Sequence, residues 1–169
     1  MCRMEVLADV ATRRLILHPF VVEEAERVVR RAPTPTSNWD ADYPMQDEVD
    51  ILRAFISEVR AGVDHGAFTV YEVRTRVRLL SIGGIGFFGP PTADGVVEVG
   101  YGLVPGFRRH GFATEALTAM VGIAAREGAA RMMATTVLAN LAAQRVLVRA
   151  GFVEHERDGV TVSFGRALQ

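Results

Sequence analysis

A strand pattern over Val96–Val104 gives way to a helical pattern over Phe112–Glu127, and the connection between them is Pro-Gly-Phe-Arg-Arg-His-Gly. This transition constrains the fold more than any other stretch of the chain. The strand is rich in Val and Tyr, and the helix starts near Gly111. The first N–H groups of a helix lack intrahelical partners, and the helix dipole places partial positive charge there. A helix opening on a glycine turn is therefore an anion site made from backbone alone. Gly111 permits close approach of a ligand, Ala113 keeps the first turn open, and Arg108 and Arg109 carry charge suited to phosphate. The competing reading is a solvated basic turn with a glycine at its bend.

The flanking sequence supplies the other elements of an α/β architecture. Strands are predicted at 14–20, at 67–73, from 77 through the glycines to 88, at 131–138, and in a terminal hairpin of 152–157 and 160–166. The first hairpin is expected to turn at Arg74-Thr75-Arg76. Helices are predicted at 22–31, 47–61 and 140–149, the second with Ile51, Leu52, Phe55, Ile56 and Val59 as its apolar stripe. That order predicts a mixed sheet of six to seven strands with helices on both faces, in a single domain spanning 1–169.

Charge and composition remove several classes of function. The net charge of −1 argues against a nucleic-acid partner. No apolar run reaches the length of a membrane span, and the amino-terminal residues lack the apolar stretch of a secretory signal. The expectation is a cytoplasmic protein. Cys2 is the one cysteine, so neither a disulfide framework nor a cysteine metal cluster is expected. All 19 basic residues are arginine, which excludes a catalytic lysine and a Walker-type phosphate loop.

A second glycine pattern, Gly84-Ile85-Gly86-Phe87-Phe88-Gly89, matches G-x-G-x-x-G after a strand. A dinucleotide site needs a helix to begin at that point. Pro90-Pro91-Thr92-Ala93-Asp94-Gly95 follows instead, so these glycines read as a bulge or bend within a strand.

Arg108-x-x-Gly111-x-Ala113 resembles the Q/R-x-x-G-x-G/A signature of the GNAT superfamily of acetyl-CoA-dependent N-acetyltransferases. The resemblance runs over about residues 13–168. Arg14-Leu15-Ile16-Leu17, Gly100-Tyr101-Gly102-Leu103 and Ala150-Gly151-Phe152 look like the branch that contains the ribosomal-protein-alanine N-acetyltransferases. The resemblance implies a GNAT-type, mostly antiparallel sheet and acetyl-CoA as cofactor, with no metal. It implies that the backbone of Arg109, His110, Gly111, Phe112, Ala113 and Thr114, with Arg108, holds the CoA pyrophosphate. Leu103 and Val104 would pair with the pantetheine arm as an added strand does. Asn140 matches a cofactor-contacting asparagine of the family, and as a favoured helix N-cap it also has a purely structural reading.

Acetyl transfer to an amine needs the amine neutral, although free alkylamines hold their proton to pH near 10. It also needs a donor at the thioester oxygen. Glu98, on the strand leading into the turn, is the candidate base, and a solvated strand glutamate is the alternative. The family's usual acid positions carry Ala143 and Leu147, one helical turn apart, which leaves the general acid unassigned. A non-catalytic acyl-CoA sensor is the competing function for that reason.

On the acceptor side, residues 36–50 carry five acidic groups and no basic one. Trp39, Asp42 and Tyr43 are the candidate acceptor-site residues of this segment, the aromatics as walls and the acid as an attractor of a cationic amine. The acceptor would be a small-molecule or peptide amine, and the protein a monomer or homodimer.

Overall fold

The computed structural model describes residues 7–168. Cys2 lies outside that range. The elements in chain order are β1 (Val10–Ala11), β2 (Leu15–Pro19), α1 (Val22–Val29), α2 (Gln46–Arg60), β3 (Val70–Thr75), β4 (Ser81–Phe87), β5 (Val96–Leu103), α3 (Phe112–Arg126), β6 (Arg131–Val137), α4 (Leu141–Arg149), β7 (Val153–Arg157) and β8 (Thr161–Ala167). The strands form one 8-stranded sheet in the order β1-β2-β3-β4-β5-β6-β8-β7, in which β5–β6 is the parallel pair. The sheet has one strand more than its sequence pattern reveals, because β1 has 2 residues and is too short for a period to be visible.

The first hairpin differs from its expected form. β3 runs to Thr75, and the turn is Arg76–Leu80, closed by Leu79 N–H to Thr75 O at 2.8 Å and Thr75 N–H to Leu80 O at 2.9 Å. Val77, read as strand, is almost fully exposed in that turn, and Leu79 has a positive φ. Of the glycine-rich run, residues 84–87 lie in β4 as a buried strand, Phe88 and Gly89 lie past its end with Phe88 exposed, and a helix does not follow.

Successive strand residues point to opposite faces, and this places the helices. Glu72, Gly84 and Gly102 are cross-strand neighbours on one face, where α2 and the residue before it lie against the glycines. Tyr101 points to the other face, and its hydroxyl meets the Ala143 carbonyl on α4. The core between these layers is built from Leu15, Leu17, Leu52, Ile82, Ile85, Leu117, Met120, Ile123 and Met132, all fully buried. Among the described residues no helix is long and apolar enough to cross a membrane, and no group of three or more His, Cys, Asp or Glu is placed to hold a metal ion.

Candidate active site

β5 and β6 pair only over Val96–Glu98 and Arg131–Met133, and beyond Glu98 the two strands separate. Val104 donates its N–H to Ile82 O, and Glu98 O accepts from Phe88 N–H, so the even residues of β5 bond across to β4. By alternation Tyr101 and Leu103 turn their backbone groups toward the gap left by β6. Of the two residues expected to pair with an extended ligand, Leu103 faces that gap, whereas the N–H of Val104 is bonded within the sheet.

The gap leads directly to the start of α3. A short 3-10 turn at Pro105–Phe107 is followed by Arg109 at φ 63° and Gly111 at φ 80°, both left-handed. Gly111 is the N-cap of α3, no side chain caps the helix, and Glu115 N–H is bonded back to Gly111 O. The N–H groups of Phe112, Ala113 and Thr114 therefore open the helix without intrahelical acceptors. The Thr114 hydroxyl is buried beside them without a hydrogen-bond partner. A left-handed glycine, an uncapped first turn and an unpaired buried hydroxyl make a cradle suited to an anionic group.

The two arginines of the turn differ. Arg108 folds back, with Nε donating to Leu103 O at 2.8 Å and Nη2 to Met45 Sδ at 3.4 Å. Arg109 and His110 are exposed. The turn is held from outside by Arg14, which sequence reasoning missed. Its Nη1 donates to His110 O at 2.8 Å, its Nε to Glu115 Oε2 at 2.7 Å, and its guanidinium lies 4.3 Å from the Phe112 ring centre. Burial alone would raise the Glu115 carboxyl, but Thr12 and Arg14 bond to it and hold it below the ordinary value. Asn140 caps α4 by accepting Ala143 N–H at 3.0 Å.

The acceptor-side residues do not gather as a pocket wall. Tyr43 is buried in the core with Trp39 edge-on to it at 5.3 Å, and Asp42 is exposed. The cavity on that side lies over the glycines of β4 and β5, has a volume of about 30 Å³, and is lined by Asp47, Glu48, Ile51, Val70, Phe88 and the glycines 84, 86, 100 and 102. Glu48 is 6% exposed, and neither of its oxygens has a hydrogen-bond partner. Its pKa is raised to about 8 by burial; the Tyr43 hydroxyl, close enough to favour the ionised form although not in hydrogen-bonding geometry, opposes the rise, and Glu72 and Asp47 add to it. Glu98 is exposed, on the same face, where the strands begin to part.

The family model described as an acetyltransferase (GNAT) domain matches residues 14–153. The chain belongs to the GNAT acetyltransferase family. An uncharacterized N-acetyltransferase of Bacillus subtilis, YjdG, is 34% identical over 73 residues, which are 43% of this chain and 44% of that protein. The chain thus matches less than half the length of that curated relative. Among solved structures, the ribosomal L7/L12 alpha-N-protein acetyltransferase RimL in complex with coenzyme A is 15% identical, with a TM-score of 0.69 over 95% of this chain and 98% of that one. The ribosomal-protein-S5-alanine acetyltransferase of Vibrio fischeri is 12% identical, with a TM-score of 0.67 over 95% and 97%. At that level of identity the likeness is one of fold.

Proposed function

We propose that the chain transfers an acetyl group from acetyl-CoA to a primary amine by direct attack in a ternary complex. The observation that carries this reading is the continuity of two sites. The gap beside Tyr101 and Leu103 ends in the turn that presents the uncapped start of α3. A pantetheine arm beside β5 would reach its pyrophosphate at the N–H groups of Phe112, Ala113 and Thr114. Family membership, and the coenzyme A and acetyl-CoA complexes solved for proteins of this fold, support the same reading.

Acetyl-CoA supplies the acyl group as a thioester with a readily displaced thiolate. The chain contributes orientation and hydrogen-bond donors. The Tyr101 N–H faces the gap, where a donor to the thioester oxygen is needed. The Tyr101 hydroxyl, 3.3 Å from Ala143 O, stands beside the α4 turn where Ala143 and Leu147 carry no donor, and it is the group we assign to protonate the departing thiolate. Its pKa is raised by burial, so it is a neutral donor at physiological pH.

A screen of primary amines with acetyl-CoA, read by release of free thiol, tests this function. Turnover with at least one amine is expected. Tight acetyl-CoA binding without thiol release from any amine would mark an acyl-CoA sensor instead.

A further inference from the structure

Glu48 is a buried acid that takes no part in holding the cofactor or in the departure of the thiolate. It lies in the first turn of α2, at the edge of the helix's apolar stripe with Leu52, Phe55 and Ile56. A Cβ built on Gly84 would lie 2.6 Å from Glu48 Oε1, so the carboxylate rests directly on β4 where only a glycine leaves room. Gly84 pairs with Gly102 on β5, and Tyr101, which faces the thioester gap, is the next residue along. The carboxylate is therefore about one strand spacing, or ~5 Å, from β5, where the Met45 and Asp47 side chains lie over Gly102 and Phe88 over Gly100.

This part of β4 and β5 is the floor of the 30 Å³ cavity, whose other walls are Ile51, Val70 and Phe88. The volume suits a water molecule or the nitrogen end of an unbranched amine. The groups facing Glu48 are Tyr43 from the preceding loop, Asp47 on α2 and Glu72 on β3, the last ion-paired with Arg74. The only neutral donor in this set is Tyr43, whose hydroxyl is itself buried without a partner. These neighbours bring no positive charge to the carboxyl, so burial keeps Glu48 protonated up to about pH 8 until a cation enters beside it.

We propose that Glu48 binds the acceptor ammonium in the cavity beside Gly84 and acts as the general base of the transfer. This rests on the acetyltransferase reading and names the acceptor class of the same site, an unhindered primary ammonium. The carboxylate takes one proton from R–NH3⁺, directly or through one water, leaving R–NH2. The nitrogen lone pair forms the N–C bond, and the C–S bond breaks as the tetrahedral adduct collapses. The second nitrogen proton is lost as the thiolate is protonated, and Glu48 returns its proton to solvent. The approaching ammonium favours the ionised carboxylate, offsetting the burial that opposes it.

The test pairs activity with binding. With an amine found active in the screen, the acetyl-CoA KM of Glu48→Gln should be unchanged, with kcat lower by about 100-fold and the basic rise of the pH–rate profile lost. Independently of turnover, n-propylamine added to the protein with bound CoA should raise the melting temperature saturably, and Glu48→Gln should abolish that rise. Circular dichroism establishes that the variant is folded. An active wild type with an unaffected Glu48→Gln, or a pH rise that disappears in Glu98→Gln instead, overturns the assignment alone. A wild type that acetylates no amine overturns the transferase reading and this assignment together.

Discussion

The Arg14 guanidinium binds the His110 carbonyl oxygen at 2.8 Å, tying the residue before β2 to the turn that opens α3. Its Nε and its own backbone N–H both bond to Glu115, in the first turn of that helix. Arg14 thus fixes the turn from behind, leaving the outward N–H groups of Phe112 to Thr114 free for a ligand. Arg14→Ala should weaken acetyl-CoA binding about tenfold, or about 1.4 kcal/mol, measured by titration calorimetry. Arg14→Lys should not restore it, because one ammonium cannot reproduce the fork that serves His110 and Glu115 together.

Gly111 carries the turn itself. At φ 80° a Cβ is strained, and here it would also lie 3.2 Å from Arg14 Nη2. Gly111→Ala should cost about 1–2 kcal/mol of stability in chemical denaturation. Gly111→Glu adds a carboxylate at the proposed pyrophosphate site, so acetyl-CoA affinity should fall about 100-fold or more, about 2.8 kcal/mol. Unchanged affinity in a folded Gly111→Glu protein would remove the turn from the binding site.

The cofactor side is legible in the sequence because its chemistry is local. Arg108 to Thr114 are consecutive, and a strand and a helix of clear period flank them. The acceptor side is not, because it depends on residues brought together by the sheet. Glu48 looks like one more acid among Asp47 and Asp50, and only its place on the apolar side of α2, with Leu52 one turn on, marks it as buried. Gly84 and Gly102 are strand glycines whose purpose appears once β4 and β5 are in register. Tyr43 reads as a pocket wall because it stands in an acidic loop, but its ring is needed to fill the core beneath α2. Arg14 contacts the turn from 96 residues away, beyond any local pattern.

Tyr101 separates chemistry from packing. Its hydroxyl bonds to Ala143 O at 3.3 Å, a long contact whose loss costs little stability. Tyr101→Phe should keep the acetyl-CoA KM and lower kcat about 10- to 100-fold, with the largest loss for the least basic amines. A kcat equal to wild type would show that the thiolate leaves without help from this group.

Gly84 and Glu48 should be energetically coupled. The Cβ of Gly84→Ala would meet Glu48 Oε1 at 2.6 Å and push the carboxylate from its seat. The substitution should destabilise the wild type by about 1–3 kcal/mol, as overpacking does. In a Glu48→Ala background the same substitution should cost much less, giving a coupling of about 1 kcal/mol or more in a double-mutant cycle. Additive effects would mean that Glu48 does not lie against β4.

The burial of Glu48 also predicts how stability varies with pH. Its carboxyl is raised from 4.5 to about 8, so the folded protein keeps this proton after the unfolded chain has released it. The folded state then binds more protons than the unfolded state, and stability falls as pH rises. The contribution is fully present below 4.5 and is lost as pH passes through about 8. A tenfold difference in proton affinity between the two states is worth about 1.4 kcal/mol, so the whole effect amounts to a few kcal/mol. Glu48→Gln cannot ionise and should escape it. Its melting temperature should lie close to wild type near pH 5 and exceed it by roughly 8–15 °C near pH 9, at about 2–4 °C per kcal/mol for a chain of this size. Parallel curves for the two proteins would mean that the carboxylate is already ionised in the fold, and its unpaired oxygens would then need a permanent cation rather than a passing one.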